Sequence, residues 1–169
     1  MRDWAQVPVF GARAEAERYT VRPSAYGLID GGRGQLAVVR TSHGVFLPGG
    51  GIEEGETPEQ AVVREALEEC GLAVRAGDWA IHAVQFIYSE SERTHFEKLS
   101  TFVDATVEAV ASSATEADHT PEWMAPEAAS RLLSPESHRW AVDCWRSKRD
   151  ETLGRTDPPS GISIRGASR

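Results

Sequence analysis

Residues 46–72 read FLPGGGIEEGETPEQAVVREALEECGL, a glycine-rich segment followed by a strong helix signal. Thr57 is a favourable N-cap, and Pro58 suits the first position of a helix. Gln60 stands where a capping box places Glu or Gln, and Gly71 suits a left-handed C-terminal cap. The stretch therefore predicts a helix that starts at Pro58 and stops just before Gly71.

Three glutamates share one face of this predicted helix. Glu65, Glu68 and Glu69 are spaced i, i+3 and i+4, so they project from roughly a third of the helix circumference. Like charges at this spacing repel by a few tenths of a kcal/mol per pair, so a positive group is expected beside them. The opposite face is predicted to be apolar and to carry Val62, Val63, Ala66, Leu67 and Cys70.

The residues alone leave three interpretations of this acidic face open. A charge run on a helix is most often a solvated surface, and a carboxylate pair can also perform acid–base chemistry without a metal. The third interpretation is a site for Mg²⁺ or Mn²⁺, which take oxygen ligands and engage substrate phosphates through a few carboxylates. Arg64, four residues before Glu68, could orient one of the carboxylates.

The same stretch resembles the Nudix box, G-x5-E-x7-R-E-U-x-E-E-x-G-U, in which U is a bulky aliphatic residue. Eight of the nine fixed positions match, and the departure is the small residue Ala66 at the first U position. The segment GETPEQAVVRE also resembles nucleoside triphosphate pyrophosphohydrolases of the MutT type. The matching residues are Gly50, Glu56, Arg64, Glu65, Glu68, Glu69, Gly71 and Leu72.

The resemblance implies an α/β protein with the Nudix fold, an α/β/α sandwich with a mixed β-sheet and a loop–helix–loop Nudix box. It also implies Mg²⁺ or Mn²⁺ as cofactor. Glu56 would ligate through water or order the loop, and Arg64 would hold glutamates by ion pairing. The metal ligands implied are Glu65, Glu68, Glu69 and the carbonyl of Gly49.

The catalytic residues implied by the resemblance are Glu65, Glu68 and a general base outside the box. Family members often place that base in the loop before the last strand, where Glu116 and Asp118 lie in this chain. The alternative is that both are surface acids in a polar loop. Further candidates that the sequence does not rank are Glu90, Glu92 and Glu97.

Aromatic residues supply candidates for contact with a nucleobase. Phe86, Tyr88 and Trp123 could stack on a base, although aromatic side chains on strands more often belong to the core. Tyr88 lies 16 residues after Leu72, where family members that cleave dinucleoside polyphosphates have a tyrosine. His43 and His95 could touch phosphate.

The expected function is metal-dependent hydrolysis of the pyrophosphate bond in a nucleoside diphosphate linked to another moiety. An NTP or dNTP is favoured as substrate, with a dinucleoside polyphosphate or a nucleotide sugar as options. The alternative is a nucleotide-sensing Nudix domain that binds without turnover. An RNA 5′-end pyrophosphohydrolase is a third class, which the acidic balance of the chain disfavours.

Composition sets the remaining bounds. The 169 residues carry a formal net charge of −8 and a mean hydropathy of −0.39, which argues for a globular protein without general affinity for nucleic acid. The sequence has no apolar run of about 18 residues and no signal-peptide pattern, so a cytoplasmic protein without membrane contact is expected. Two cysteines make no disulfide framework, and five tryptophans allow a homodimer interface.

Hydrophobic patterning divides the chain into an N-terminal segment (1–17), a Nudix domain (18–148) and a C-terminal tail (149–169) whose composition indicates flexibility. A short helix is expected at Ala12–Arg18. Further helices are predicted at Pro126–Leu133 and Pro135–Lys148. The predicted strands are Tyr19–Ile29, Gln35–Arg40, Val45–Leu47, Trp79–Tyr88, Phe96–Val107 and Thr120–Met124.

Overall fold

A computed structural model describes residues 4–111 and 118–154 of the chain. A 3₁₀ turn at Trp4–Gln6 precedes eight strands and three helices. The strands are β1 (Val9–Phe10), β2 (Tyr19–Asp30), β3 (Leu36–Thr41), β4 (Gly44–Phe46), β5 (Gly49–Gly51), β6 (Leu72–Ser89), β7 (Thr94–Val110) and β8 (Thr120–Met124). The helices are α1 (Pro58–Cys70), α2 (Pro126–Leu132) and α3 (Glu136–Gly154).

The strands form one mixed sheet in the order β1-β6-β7-β2-β3-β4, while β5 pairs with β2 and β8 with β3. The β1–β6 and β2–β7 pairs are parallel, and the other pairs are antiparallel. Each face of the sheet has its own core. One core packs against α1 and includes Val62 and Val103, and the other packs against α2 and α3 and includes Phe102 and Trp145. This layering confirms the predicted α/β sandwich with a mixed sheet.

Helix α1 is specified by the caps that its sequence predicts. The hydroxyl oxygen of Thr57 accepts the Gln60 backbone N–H at 3.2 Å, and the Gln60 side chain accepts the Thr57 backbone N–H at 2.8 Å. At the other end Gly71 adopts a left-handed conformation with φ of 66°. Both ends are therefore held by local hydrogen bonds, each cap contributing about 1 kcal/mol.

The buried face of α1 differs from the predicted one. Val63 and Leu67 are 39% and 43% exposed, whereas Glu65 and Glu69 are buried. The helix lies on the sheet through small side chains, and Ala66, the departure from the box pattern, is fully buried at this close approach. The prediction that the glutamates lie opposite the core was therefore wrong: the acidic arc borders the core.

Four local predictions also differ from the structure. Helix α3 runs to Gly154, beyond the predicted end at Lys148 and into the segment predicted to be a flexible tail. The segment 12–18 is irregular, with a turn at residues 15–16, because its alternating alanine and charged side chains are all exposed and form no apolar face to bury. Gly49–Gly51 is a strand paired with β2, although glycine favours the loop predicted there. Strand β6 starts at Leu72 because bulges at Ala73/Val74 and Ala76/Ala80 let the pairing with β7 continue through an irregular sequence.

Strand β1 adds the N-terminal segment to the sheet through pairing of Val9 with Val84 and of Phe10 with Gln85. Within the described parts of the chain, none of the helices combines the length and apolar character needed to cross a bilayer.

Candidate functional site

The two most buried acids of the box lie one helical turn apart on α1. Glu65 and Glu69 are 8% and 7% exposed, which is unusual for carboxylates without specific partners. One Glu69 oxygen accepts the backbone N–H of Gly49 at 2.8 Å, and the other lies 3.1 Å from Nε2 of His119. The acidic face is thus held against the β5 strand and the segment before β8, which removes the solvated-surface interpretation for these two residues.

Arg64 joins the remaining carboxylates to the glycine strand. Its guanidinium donates to both oxygens of Glu56 at 2.9 and 3.0 Å, and to Oε1 of Glu65 at 2.8 Å. It also donates to Oε2 of Glu68 at 3.2 Å and to the carbonyl of Gly51 at 3.1 Å. Planar guanidinium geometry allows several such contacts at once, so Arg64 orients the acids as the sequence predicted.

The ion pair with Arg64 lowers the pKa of Glu56, whose carboxylate also accepts the Glu53 backbone N–H. A lowered native pKa contributes stability above the unfolded pKa of about 4.3, and this contribution is lost as the pH falls through the native value. We therefore expect the free energy of unfolding to drop more steeply between about pH 5 and pH 3 in the wild type than in Glu56→Gln. Urea unfolding over this range measures the difference. Glu54→Gln, at an exposed position of the same loop, should keep the wild-type slope.

The register of β5 explains how its backbone serves the site. Gly50 stands opposite Ala25 on β2. Two hydrogen bonds flank this pair in the same ladder: the Gly27 N–H donates to the Pro48 carbonyl, and the Ile52 N–H donates to the Pro23 carbonyl. In an antiparallel ladder, alternate residues direct both backbone groups away from the partner strand. Gly49 is such a residue, so its carbonyl leaves the strand on the same edge as the N–H that binds Glu69.

Glycine is required in this strand by close contacts. A Cβ on Gly49, whose φ is 144°, would approach the Ala25 carbonyl oxygen within 2.2 Å. A Cβ on Gly50 would lie 2.6 Å from Oε1 of Glu65. The absent side chains therefore leave the space in which the Glu65 carboxylate rests.

The donor chemistry of the site fits a hard divalent cation. Three box carboxylates and the backbone edge of Gly49 offer oxygen atoms, the ligands that Mg²⁺ and Mn²⁺ prefer. Across residues 4–111 and 118–154, however, no three His, Cys, Asp or Glu side chains are grouped closely enough to hold a metal ion. The carboxylate oxygens instead face Arg64, the Gly49 amide and His119. Binding a cation would require these contacts to be exchanged.

A cleft runs along the sheet from Glu69 to the start of α3 and consists of two adjoining cavities of about 480 Å³ each. Tyr26, Phe46 and Lys98 line both of them. We call the first the acidic cavity. Its lining includes Glu69, His119, Arg22, Glu92, Thr41, Val39 and residues Gly49–Gly51. The second we call the polar-floor cavity, and its lining includes Gln85, Ile87, Tyr88, Ser100, Ser137 and His138.

The boundary between core and cleft follows from strand register. Tyr26, Phe102 and Ile81 stand opposite one another in adjacent strands and belong to, or pack against, the core under α3. Four residues back along β2, the matching row is Arg22, Lys98 and Gln85. Because side chains two residues apart in a strand share a face, this polar row continues the same face of the sheet beyond the core.

Two cations of this row, Arg22 and Lys98, line the acidic cavity. Lys98 donates to the hydroxyl of Tyr26 at 3.1 Å and has no carboxylate partner among the described residues. Arg22 donates to Glu92 at 2.8 Å while also lining the acidic cavity. Lys98 and Arg22 thus place positive charge in the cavity that Glu69 lines, with Arg22 paired to the Glu92 carboxylate.

The structure separates the predicted base-contacting aromatics. Tyr88, 45% exposed, lines the polar-floor cavity and packs on His95 with ring centroids 4.8 Å apart. Phe86 instead packs against Tyr19 away from both cavities. Trp123 covers the backbone of Gly31 at the β2–β3 turn. Of these three aromatic residues, only Tyr88 lines the cleft.

The predicted acids and histidines also lie in different parts of the structure. Glu116 lies outside the described residues. Asp118 accepts a hydrogen bond from Ser42 at 2.9 Å, and His43 and Glu90 line the polar-floor cavity. Glu97 pairs with Arg13 at 3.5 Å. His95 packs on Tyr88 and also lies 3.7 Å from a carboxylate oxygen of Glu17.

Sequence reasoning missed several residues that line the cleft. His119 follows the predicted base candidate Asp118 directly, so its position in that segment was the available signal. Lys98 carried a weaker signal, because it is the only lysine or arginine in strand β7. His138 carried none, because its place beside Tyr26, with ring centroids 4.2 Å apart, depends on how α3 docks on the sheet.

Comparisons with known proteins agree with this geometry. The family model described as NUDIX domain matches residues 20–144. A curated relative, the RNA pyrophosphohydrolase of Photobacterium profundum, is 47% identical over 53 residues, so the match spans 30% of this chain and 30% of that protein.

Solved structures share the fold at low sequence identity. A Nudix hydrolase from Nitrosomonas europaea gives a TM-score of 0.60 at 15% identity, with 76% of this chain and 90% of that chain covered. The MutT protein from Methanosarcina mazei Go1 gives 0.57 at 20% identity, covering 78% and 96%. The E. coli dihydroneopterin triphosphate pyrophosphohydrolase gives 0.57 at 19% identity, covering 77% and 98%. Since the family model spans most of the chain and coincides with the acidic helix and its glycine strand, the protein belongs to the Nudix hydrolase family.

Proposed function

We propose that the protein hydrolyses a pyrophosphate bond in a nucleoside diphosphate linked to another moiety, with Mg²⁺ or Mn²⁺ as cofactor. The observation that carries the proposal is the buried pair Glu65 and Glu69 on one helix, of which Glu69 lines a cavity together with Arg22 and Lys98. Two buried acids one helical turn apart repel each other, and a bound cation would add to the stabilisation that Arg64, the Gly49 amide and His119 already provide. The family membership supports the same reaction class.

In this proposal Glu65, Glu68 and Glu69, with the Gly49 carbonyl, hold the divalent ion. When bound, the ion neutralises charge on phosphate oxygens and lowers the pKa of a bound water. Arg64 would hold Glu65 and Glu68 in place by ion pairing. The Gly49 amide keeps Glu69 oriented, and the general base is sought among Glu116, Asp118 and His119.

The two cavities suggest how the substrate is placed. Phosphates would lie between the glutamates and the cations Arg22 and Lys98, and the nucleoside would enter the polar-floor cavity beside Tyr88. A volume of about 480 Å³ is within the usual range for small-ligand pockets. This arrangement favours an NTP or dNTP and leaves dinucleoside polyphosphates and nucleotide sugars as further options.

Two alternatives call for a test. The 53-residue match to an RNA pyrophosphohydrolase supports an RNA 5′ end as substrate, while the net charge of −8 opposes it. A nucleotide-sensing domain would bind the same ligands without turnover. A homodimer and a cytoplasmic location remain predictions.

A substrate panel with a matched variant tests the proposal. NTPs, dNTPs, dinucleoside polyphosphates, nucleotide sugars and 5′-triphosphorylated RNA are incubated with Mg²⁺ or Mn²⁺, and released phosphate or pyrophosphate is measured. We expect turnover of a mononucleotide, and we expect Lys98→Met to raise its KM about tenfold or more because a phosphate contact is lost.

The control is Arg131→Met, which removes an exposed cation on α2 outside the cleft and should leave KM unchanged. Binding of nucleotides without product in any combination would establish the sensor alternative. Turnover of RNA alone would establish that the protein acts as an RNA pyrophosphohydrolase.

A further inference from the structure

The polar-floor cavity has a feature that phosphate hydrolysis does not use. Eight polar or charged residues are buried in the described parts of the chain, and four of them line this one cavity. Buried polar groups need hydrogen-bond partners, and their concentration in one place is costly in an apolar core. The four are Gln85, Ser100, Ser137 and His138.

Ser137, in the first turn of α3, is the least satisfied of them. It is 1% exposed, and its hydroxyl oxygen has no hydrogen-bond partner in the structure. Its backbone N–H, by contrast, donates to Oε1 of Gln85 at 3.1 Å. An unpaired buried hydroxyl costs about 1–3 kcal/mol, so it destabilises the protein unless a ligand satisfies it.

The neighbours of Ser137 present hydrogen-bond donors. The Gln85 amide is oriented by two contacts, since its oxygen accepts the Ser137 N–H and its nitrogen donates to the Phe86 carbonyl at 3.3 Å. One amide hydrogen of Gln85 remains for a ligand. His138 accepts the Leu47 backbone N–H on Nδ1 at 3.2 Å, which assigns the ring proton to Nε2.

The walls of this cavity suit a flat ring. Phe46, Ile87 and Tyr88 provide apolar and aromatic surface above the polar floor. Lys98 lies at the entrance that the cavity shares with the acidic cavity. A group bound here would therefore be an aromatic heterocycle with an edge of hydrogen-bond acceptors, attached to phosphate on the Lys98 side.

We propose that Ser137, supported by Gln85 and His138, recognises the edge of the substrate's nucleobase and favours a base with an exocyclic carbonyl group over one with an amino group at that place. The inference rests on the proposed function for the position of the phosphates. It adds to the proposed function the kind of nucleobase that is bound and the residue that recognises it.

Binding of non-hydrolysable ligands tests this independently of turnover. Calorimetry with Mg²⁺ compares three ligands. The α,β-methylene analogues of ITP and ATP form a matched pair with a 6-oxo and a 6-amino base, and inorganic tripolyphosphate has no base. We expect the wild type to bind the ITP analogue about tenfold tighter than the ATP analogue. Ser137→Ala should weaken binding of the ITP analogue about tenfold, the size of one hydrogen bond, and leave tripolyphosphate unchanged.

Thermal unfolding separates recognition from a structural role. Because the hydroxyl has no protein partner, Ser137→Ala should unfold at the same temperature as the wild type or higher. Ser134→Ala provides the contrast, since that hydroxyl accepts the Val45 N–H at 3.1 Å and its loss should lower the melting temperature. Ser137→Cys, nearly isosteric, should repeat the weaker binding, and Ser130→Ala on α2 should change neither quantity.

The outcomes distinguish this inference from the proposed function. A lower melting temperature for Ser137→Ala with unchanged affinities would overturn the recognition role. Equal weakening of nucleotide and tripolyphosphate would overturn it too, because Ser137 would then act on the phosphate end. If the substrate panel shows no hydrolysis but binding still depends on the base, the catalytic proposal is overturned and this inference is supported.

Discussion

A Glu69→Gln variant is expected to fold normally but to turn over substrate about 10³-fold more slowly than the wild type, a barrier increase of about 4 kcal/mol. The side-chain oxygen of glutamine can still accept the Gly49 N–H, which Glu69 now accepts at 2.8 Å. The negative charge offered to a cation is lost, however. The measurements are kcat with Mg²⁺, the melting temperature, and Mn²⁺ affinity by electron paramagnetic resonance.

Glu59→Gln is the matched control, because Glu59 lies in the first turn of the same helix away from the glycine strand. It should retain wild-type turnover and Mn²⁺ affinity. If Glu69→Gln hydrolyses substrate at the wild-type rate, Glu69 is not a metal ligand and the proposed site is wrong. A large loss of melting temperature would instead show that the carboxylate is mainly structural.

Arg64→Ala is expected to lower the free energy of unfolding by about 3–5 kcal/mol, or the melting temperature by roughly 10 °C, and to reduce turnover as well. The guanidinium is 24% exposed and contacts Glu56, Glu65 and Glu68 together with the Gly51 carbonyl. Removing it leaves partly buried carboxylates facing one another without a counter-charge. Equilibrium urea unfolding and steady-state kinetics measure the two effects.

The double variant Arg64→Ala/Glu56→Gln tests whether the loss comes from the unpaired charge. Adding Glu56→Gln should restore part of the stability, since one stranded carboxylate is neutralised, but it should not restore turnover. Arg64→Lys keeps the charge without the planar fork and should fall between the wild type and Arg64→Ala. Full stability in Arg64→Ala would contradict the role of the arginine as the centre of this network.

The sequence predicts the acidic helix well because its signals are local. Thr57, Gln60 and Gly71 act on hydrogen bonds within a few residues, and the helix begins and ends where they predict. The burial of Glu69 is decided by β5, β2 and the segment before β8, which lie elsewhere in the chain. The three consecutive glycines of β5 carry no strand propensity, and their pairing with β2 exists only in the tertiary structure.

The cleft is harder to predict because its residues meet through register. Arg22, Lys98 and Gln85 are distant in sequence and become neighbours when β2, β7 and β6 align. A shift of one residue would direct each of these side chains to the other face of the sheet. Phe86 and Tyr88, two residues apart on β6, share the face on which Tyr19 and His95 lie, and only Tyr88 also borders the polar-floor cavity.

The crowding around Gly49 and Gly50 has a consequence for how this enzyme can change over evolutionary time. Gly49 has no room for a methyl group, and a methyl group on Gly50 would displace the Glu65 carboxylate, so substitution at either position would disturb the part of the cleft that faces the acids. The far part is built from side chains on β6, β7 and α3, where single substitutions alter contacts and leave the backbone in place. New substrates are therefore accessible to this scaffold by a few mutations at one end, while the bond that it breaks stays the same.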